Sequence, residues 1–147
     1  MTKAKKHNSG LTHLGSAETK FPSSPDRNIL ETFENSHPER EYQIRFTCPE
    51  FTAICPITSQ PDFGTITISY VAGKKCIESK SLKLYLFSYR NHGAFHEEVI
   101  NLILDDCAAV CRPKTMTVSG DFNPRGGISI HVEASYAQPK KSASNRS

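Results

Sequence analysis

Two pairs of alternating segments, one on each side of a helical middle, limit the folds open to this chain more than any other feature. EYQIRF, from Glu41, alternates apolar and polar residues, and GTITISYV, from Gly64, repeats that period of two. KTMTVSGDF and GISIHVEASY alternate in the same way around NPRGG, whose proline and paired glycines predict a hairpin turn. A period of two predicts strands with one buried face. The predicted order is therefore strand, strand, helical middle, strand, strand.

The middle contains one clear helix and one ambiguous segment. Between Arg90 and Arg112 apolar residues recur at helical spacing, and Glu97 and Glu98 stand early, where the helix dipole favours acids. The preceding segment, SLKLYLFSYR, is apolar at most positions. It fits either a buried strand or a helix covered on most sides, and periodicity alone leaves that choice open.

The length and charge distribution predict one folded domain between two basic ends. The chain has 147 residues, of which 37% are hydrophobic, which suits a single globular domain and excludes full disorder. Residues 1–28 carry five Lys or Arg against two acids, and residues 137–147 carry three against none. We expect these ends to be flexible and residues 29–136 to fold. The net charge of +3 therefore does not indicate a basic folded face.

The cell compartment follows from what the sequence lacks. No stretch approaches the roughly 18 consecutive apolar residues that cross a bilayer, and the N-terminus has no apolar run of the signal-peptide kind. We therefore expect a cytoplasmic protein without membrane contact. Five cysteines, an odd number without paired spacing, argue against a disulfide framework.

The segment FTAICPITSQPDFG, residues 51–64, poses the question of what Cys55 does. Free cysteine is usually a buried structural residue. However, Pro56 and SQPDFG predict a loop, where reactive groups concentrate, and Asp62 is near enough in sequence to fold back as a proton donor. From these residues alone, Cys55 is either an apolar filler or a nucleophile with Asp62 as its acid.

Metal binding is a rival use for the other cysteines. Cys107 and Cys111 stand at i and i+4 of the predicted helix, and Cys76, His92 and His96 are further candidates, but no C-x-x-C or H-E-x-x-H spacing occurs. A structural role as small apolar residues on the helix explains Cys107 and Cys111 better than metal binding does. The sequence predicts no metal site.

Four charged residues could bind a ligand. Lys80 and Lys83 stand three apart, so on one helix face they could hold an anion such as a phosphate. The carboxylates of Glu78 and Glu97 could each accept paired hydrogen bonds from a guanine-like ring. The same residues could instead be solvated lysines and glutamates that stand at helix starts without a ligand. No G-x-G-x-x-G fingerprint of a dinucleotide-binding fold follows a predicted strand.

Three motifs together resemble a known family. CPEFTAICPITSQPDFGTITISY, ESKSLKLYLFSYRNHGAFHEE and PRGGISI are similar, in order and spacing, to the NADPH-dependent 7-cyano-7-deazaguanine reductases in their short, single-domain form. The resemblance covers roughly residues 10–137. It implies the α+β tunnelling fold shared with GTP cyclohydrolase I, an antiparallel ββααββ arrangement with helices on one face of the sheet. It also implies that SLKLYLFSYR is the first helix.

The resemblance assigns roles to individual residues. Cys55 would attack the nitrile carbon to give a thioimide, and Asp62 would protonate the nitrile nitrogen. The implied substrate-binding residues are Ile77, Glu78, Ser79, His96 and Glu97, and the implied NADPH-binding residues are Lys80, Lys83 and Arg125. The family acts in queuosine biosynthesis on a free base, so no direct tRNA binding is expected.

The resemblance also implies an assembly. Active sites would lie between subunits of a homo-oligomer, a decamer of two pentamers whose strands build a central barrel. Two other functions stay open on the residues: a zinc-dependent cyclohydrolase-like enzyme of the same fold, and a module that binds nucleic acid through its basic ends.

Overall fold

The structure, a computed structural model, describes residues 22–140 and contains two helices and six strands there. In chain order they are β1 (Thr32–Glu34), β2 (Gln43–Ile54), β3 (Pro61–Val71), β4 (Lys75–Ile77), α1 (Ser79–Phe87), α2 (His96–Cys111), β5 (Thr115–Arg125) and β6 (Ile128–Ala137). Short 3-10 turns lie at Arg27–Ile29 and Ser88–Asn91.

The main sheet is antiparallel and has the order β2-β3-β5-β6. The four predicted strands and the predicted α+β order are confirmed, and the ambiguous segment is a helix, as the resemblance implied. The turn between β5 and β6 consists of Gly126 and Gly127, both with positive φ (57° and 78°). Such values suit glycine and the tight connection of a hairpin.

Two strand boundaries differ from the prediction, and one of them changes the site. β2 continues past the predicted segment to Ile54, through an irregularity between Cys48 and Phe51. β3 begins at Pro61, so Asp62 pairs with Ala53 in the ladder. The prediction of a loop through SQPDFG was wrong in its second half, because proline is tolerated as the first residue of a strand.

A second sheet was not predicted. β1 and β4 form a two-stranded antiparallel ribbon in which Phe33 lies opposite Cys76. Three residues are too few for a period of two to be recognised.

The core lies between one face of the main sheet and the two helices. Ile66, Ile68 and Tyr70 of β3 are buried there, each 1% exposed, and Val99 and Ile103 of α2 are fully buried. Hydroxyl residues such as Thr65 and Thr67 alternate onto the other face of the sheet. The helices therefore cover a single face, as predicted.

Cysteines fill part of this core. Cys107 and Cys111 of α2 are 0% and 1% exposed, which confirms them as small apolar residues. Burial raises the pKa of both thiols, that of Cys111 to about 12. They are therefore neutral at physiological pH.

The predicted flexible ends lie largely outside the described residues, and the domain boundaries stay predictions. Of the N-terminal segment, residues 22–28 are described, and Arg27 pairs with Asp106 of α2 at 3.0 Å. Neither helix within residues 22–140 is long and apolar enough to cross a lipid bilayer.

Candidate active site

Cys55 is the first residue after β2, in the turn that leads to β3. Its N–H donates to the carbonyl of Gln60 at 2.9 Å, and its carbonyl accepts from the N–H of Ser59 at 3.0 Å. Ser59 adopts a left-handed conformation with φ 58°, which lets so short a turn close. The side chain is partly exposed. The turn therefore presents a free thiol at the end of the sheet.

Hydrogen bonds lower the pKa of this thiol from near 9 to about 7. The hydroxyl of Thr58 makes the largest contribution, and the N–H groups of Thr58 and Ile57 add to it. Burial opposes the shift, and the guanidinium of Arg125 supports it. About half of the thiol is then thiolate at neutral pH. Thr58 was not among the predicted site residues, because its only signal in the sequence is a hydroxyl residue within the turn after the cysteine.

Asp62 is held between two basic side chains. It is 7% exposed, on the buried face of the sheet. The Nε of Arg125 lies 2.7 Å from its Oδ1, and the Nε2 of His96 lies 3.2 Å from its Oδ2. Strand pairing, the start of α2 and the β5-β6 hairpin thus bring Asp62, His96 and Arg125 together.

His96 presents a nitrogen without a hydrogen-bond partner. Its ring stacks on Phe122, with the centroids 3.9 Å apart and the planes 3° from parallel. Although Nε2 lies near Asp62, it makes no hydrogen bond, and it is the one buried side-chain nitrogen or oxygen in residues 22–140 without one. An orphaned buried polar atom is uncommon and often marks a functional position. This nitrogen is therefore available to hydrogen-bond a ligand.

Two glycines make room for the ring under His96. A Cβ on Gly120 would lie 2.8 Å from Cε2 of Phe122 and 2.7 Å from Cδ1 of Ile100. A Cβ on Gly64 would lie 3.0 Å from Cδ1 of Phe122. Phe122 was not among the predicted site residues, because its contribution depends on tertiary packing.

A second group of predicted residues lies where β4 meets α1. The carboxylate of Glu78 caps α1, since its two oxygens accept from the N–H groups of Lys80 at 2.8 Å and Ser81 at 2.7 Å. Burial acts to raise the pKa of Glu78, but these hydrogen bonds outweigh it and the net shift is downward. Glu78 is therefore ionised at neutral pH, and each oxygen keeps a lone pair for a ligand.

The two groups are far apart within one chain. The N–H of Ile77, next to Glu78, donates to the hydroxyl of Tyr70 at 2.9 Å. Tyr70 is near the far end of β3 from Asp62, and eight residues of strand span about 26 Å. Asp62 and the contact of Ile77 with Tyr70 therefore lie toward opposite ends of β3.

A cavity of about 450 Å³ lies between β2 and α1. Phe46, Phe51 and Leu86 contribute apolar walls, and Lys83 and Arg90 contribute cationic groups. Its size and charge fit part of an anionic dinucleotide. Ser79 also lines it, whereas Lys80 and Arg125 do not. Glu97 is exposed in the first turn of α2, next to His96.

No cluster of three or more His, Cys, Asp or Glu side chains suited to a metal ion occurs in the part of the chain that the structure describes.

Comparison with known proteins identifies the family. A family model described as QueF-like protein matches residues 61–141. NADPH-dependent 7-cyano-7-deazaguanine reductases from Streptococcus mutans and Neisseria meningitidis are 56% and 52% identical to this chain, over 88% of it and 80% and 82% of their own length. The reductase from Bacillus cytotoxicus is 54% identical over 88% of this chain and 78% of its own.

A solved structure supports the fold. The apo crystal structure of an archaeosine synthase, QueF-Like, matches with a TM-score of 0.60 at 22% identity, over 63% of this chain and 91% of that one. Because the family model covers more than half of the sequence and the relatives cover most of it, this chain belongs to the family of NADPH-dependent 7-cyano-7-deazaguanine reductases.

Proposed function

We propose that this chain reduces the nitrile of 7-cyano-7-deazaguanine to the amine of 7-aminomethyl-7-deazaguanine with NADPH, a step of queuosine biosynthesis. One observation carries the chemistry: a thiol with a pKa of about 7, at Cys55, stands beside a buried aspartate held by Arg125 and His96. A nitrile is a modest electrophile, so it needs both a thiolate and a positioned proton donor.

Addition of Cys55 to the nitrile starts the reaction. The sulfur forms a bond to the nitrile carbon, one π bond of the C≡N group breaks, and the nitrogen takes a proton from Asp62. The product is a thioimide attached to Cys55. Asp62 becomes a carboxylate, which Arg125 at 2.7 Å stabilises.

Cys55 also serves as a leaving group. When bound, NADPH would supply one hydride to the thioimide and a second to the imine that follows, and the nitrogen would take one further proton from Asp62 to complete the amine. Between the two reductions the C–S bond breaks and Cys55 departs as a thiolate, which its lowered pKa favours. His96 can return a proton to Asp62, since its Nε2 lies 3.2 Å from Oδ2.

The proposed binding residues belong to the group around Glu78 and to the cavity between β2 and α1. Glu78 and Glu97 would read the guanine-like edge of the substrate, with Ser79 and the backbone of Ile77 beside Glu78. Lys83 would hold a phosphate of the cofactor in the cavity, with Lys80 on the same helix. The substrate is a free base, so no direct contact with tRNA is proposed.

We further propose that the complete site forms between copies of the chain. Asp62 and Tyr70, whose hydroxyl contacts Ile77, are about 26 Å apart along β3, and this separation supports a site in which Glu78 comes from another copy. Four exposed apolar side chains lie around the end of the main sheet that carries Cys55, namely those of Ile57, Phe63, Phe95 and Ile128. β2 and β6 are the edges of the main sheet, and edge strands favour pairing with another chain. A ring of such pairs suits the two pentamers that the resemblance implies.

Intact-protein mass spectrometry tests the proposed chemistry. Purified protein is mixed with 7-cyano-7-deazaguanine without NADPH, beside the variants Cys55→Ala and Cys48→Ala. Cys48 is a matched control because it is also partly buried, in neighbouring β2, and burial raises its pKa. We expect an adduct of the substrate's mass on wild type and Cys48→Ala only, and its loss when NADPH is added. Folded wild type that binds the substrate without forming an adduct would refute covalent catalysis.

A further inference from the structure

We propose that Phe122 is a positioning residue of the candidate active site, which acts on the reaction through His96. Its ring holds the imidazole of His96 in the orientation that keeps Nε2 beside Asp62 and free to meet a ligand. The residues implied by the family resemblance include His96 and Asp62 but not Phe122. This inference deepens the proposed function and rests on it, since it concerns the same site.

The helix does not by itself fix the ring of His96. His96 is the first residue of α2, and the N-cap residue Phe95 makes no capping hydrogen bond with its side chain. Within residues 22–140, the buried Nε2 of His96 has no hydrogen-bond partner. The torsion that turns a histidine ring is broad and has no sharp minimum of its own. The orientation of this imidazole therefore depends on packing.

Phe122 provides that packing. The two rings lie with their centroids 3.9 Å apart and their planes 3° from parallel. A ring that lies flat on another cannot turn out of its plane without a clash, so the stack limits rotation of the imidazole. The side chain of His96 is only 13% exposed, and its Nε2 stays 3.2 Å from Oδ2 of Asp62.

The sheet in turn fixes Phe122. The residue is 4% exposed, and its ring packs edge-on against Phe51 with the centroids 6.5 Å apart. A Cβ on Gly120 would lie 2.8 Å from Cε2 of Phe122, and a Cβ on Gly64 would lie 3.0 Å from Cδ1. Any side chain larger than hydrogen at either position would push the ring. The two glycines therefore set where the ring lies.

This arrangement connects His96 to the strand that carries Asp62. Phe122 of β5 pairs with Gly64 of β3, and Gly64 is two residues from Asp62. The position of His96, which belongs to α2, is thus measured against the same strand as the proposed proton donor. Misplacement of a reacting group by about 1 Å can cost on the order of a hundredfold in rate. Loss of the stack should therefore slow the reaction without removal of any reacting group.

A double-mutant cycle tests whether Phe122 acts through His96. The rate of adduct formation with 7-cyano-7-deazaguanine, without NADPH, is measured by intact-protein mass spectrometry in wild type, Phe122→Leu, His96→Gln and the double variant. Leucine keeps the site apolar but has no ring. We expect Phe122→Leu to slow adduct formation about tenfold in wild type and less than about twofold when His96 is already replaced.

Alkylation of Cys55 by iodoacetamide separates positioning from general damage to the site. This reaction needs neither the nitrile nor His96. We expect its rate to stay within about twofold of wild type in all four proteins, because residues in contact couple whereas separate ones act independently.

A second variant displaces the ring without removing it. Gly120→Ala places a methyl group 2.8 Å from Cε2 of Phe122. We expect it to slow adduct formation about threefold, and again only while His96 is present. The control is Val118→Ala, which removes fully buried atoms from the same strand. It should lower the melting temperature and leave adduct formation within about twofold of wild type.

Nuclear magnetic resonance reads the contact without any substrate. The protein is labelled with ¹³C at Cε1 of histidine, and the signal of His96 is the one absent from His96→Gln. A proton above the face of an aromatic ring is shielded, so this signal should lie upfield in wild type and move downfield in Phe122→Leu.

The same loss of rate from Phe122→Leu with and without His96 would overturn the proposal, and so would a His96 signal that does not move. Failure of the proposed function looks different. Wild type would then form no adduct at all, while the shift of the His96 signal would still show whether Phe122 holds the imidazole.

Discussion

At the scale of single residues, a neutral hydroxyl influences Cys55 more than any charge does. The hydrogen bond from Thr58 contributes most to the lowered pKa, and Arg125 contributes least of the supporting groups. Dissolved ions screen a hydrogen bond less than they screen the interaction of distant charges. The acidity of the thiol should therefore depend little on salt concentration.

Replacement of Thr58 by valine tests this assignment. Valine keeps the shape of threonine but cannot donate to the sulfur, so the pKa of Cys55 should rise from about 7 toward its ordinary value. The reaction of Cys55 with iodoacetamide increases as pH rises through the thiol pKa. In Thr58→Val we expect that increase at a pH about one unit higher than in wild type.

Thr52→Val is the matched control, since Thr52 lies in nearby β2 and its hydroxyl donates only weakly, at 3.4 Å, to the carbonyl of Glu50. An identical pH profile for Thr58→Val and wild type would contradict the assignment.

The sequence offers Cys55 and Asp62 as candidate reactive residues, because they stand in one motif that resembles the family, and their roles stay predictions. The residues that contact them could not be predicted from that motif. Phe122 under His96, and Arg125 against Asp62, are brought into place by the hairpin and the buried face of β5. These contacts connect residues far apart in the chain, which a linear pattern does not show.

At the scale of elements, the long periodic strands and α2 were predictable because each repeats its pattern over several turns or pleats. α1 was not, because it is apolar on most sides and periodicity cannot separate it from a strand. The small sheet of β1 and β4 has only three residues per strand. The error that mattered most was at Pro61, which starts a strand where a loop was predicted and so fixes Asp62 in the ladder.

A buried hydrogen-bonded chain connects the helices to the N-terminal 3-10 turn. Asp106 of α2 accepts from the hydroxyl of Tyr85 at 2.6 Å, and that hydroxyl lies 2.9 Å from the hydroxyl of Tyr89. Arg27 pairs with the other oxygen of Asp106 at 3.0 Å. The carboxylate thus joins α1, α2 and the segment that precedes β1.

We expect variants of Asp106 to lose stability in a graded way. Asp106→Ala leaves the buried tyrosine hydroxyl without its acceptor and should lower the free energy of unfolding by about 3 kcal/mol. Asp106→Asn keeps an acceptor for Tyr85 and should lose about 1 kcal/mol. Urea unfolding measures both.

Arg27→Ala is the control, because its guanidinium is half exposed and its loss should cost less than about 1 kcal/mol. Equal losses for all three variants would contradict a role for the buried hydrogen bond.

At the scale of the whole molecule, the separation of the two residue groups predicts complementation between subunits. Cys55→Ala removes the proposed nucleophile. Glu78→Gln removes one of the two carboxylate acceptors in the other residue group and keeps one oxygen to cap α1. Each variant alone should be at least tenfold less active than wild type. When the two are co-expressed or reassembled together, about a quarter of the sites would receive both intact halves.

The control is the double variant Cys55→Ala/Glu78→Gln assembled with either single variant, which cannot form an intact site. A mixture of the two single variants that stays at the sum of their separate activities would show that each site is built from one chain.

The separation of the two residue groups along β3 should also make activity depend on protein concentration. If half of every site belongs to a neighbour, an isolated copy has no complete site to offer a substrate, however well it is folded. Turnover per chain should then fall on dilution at the concentration where the assembly dissociates, and the substrate, by bridging two copies, should move that concentration downward.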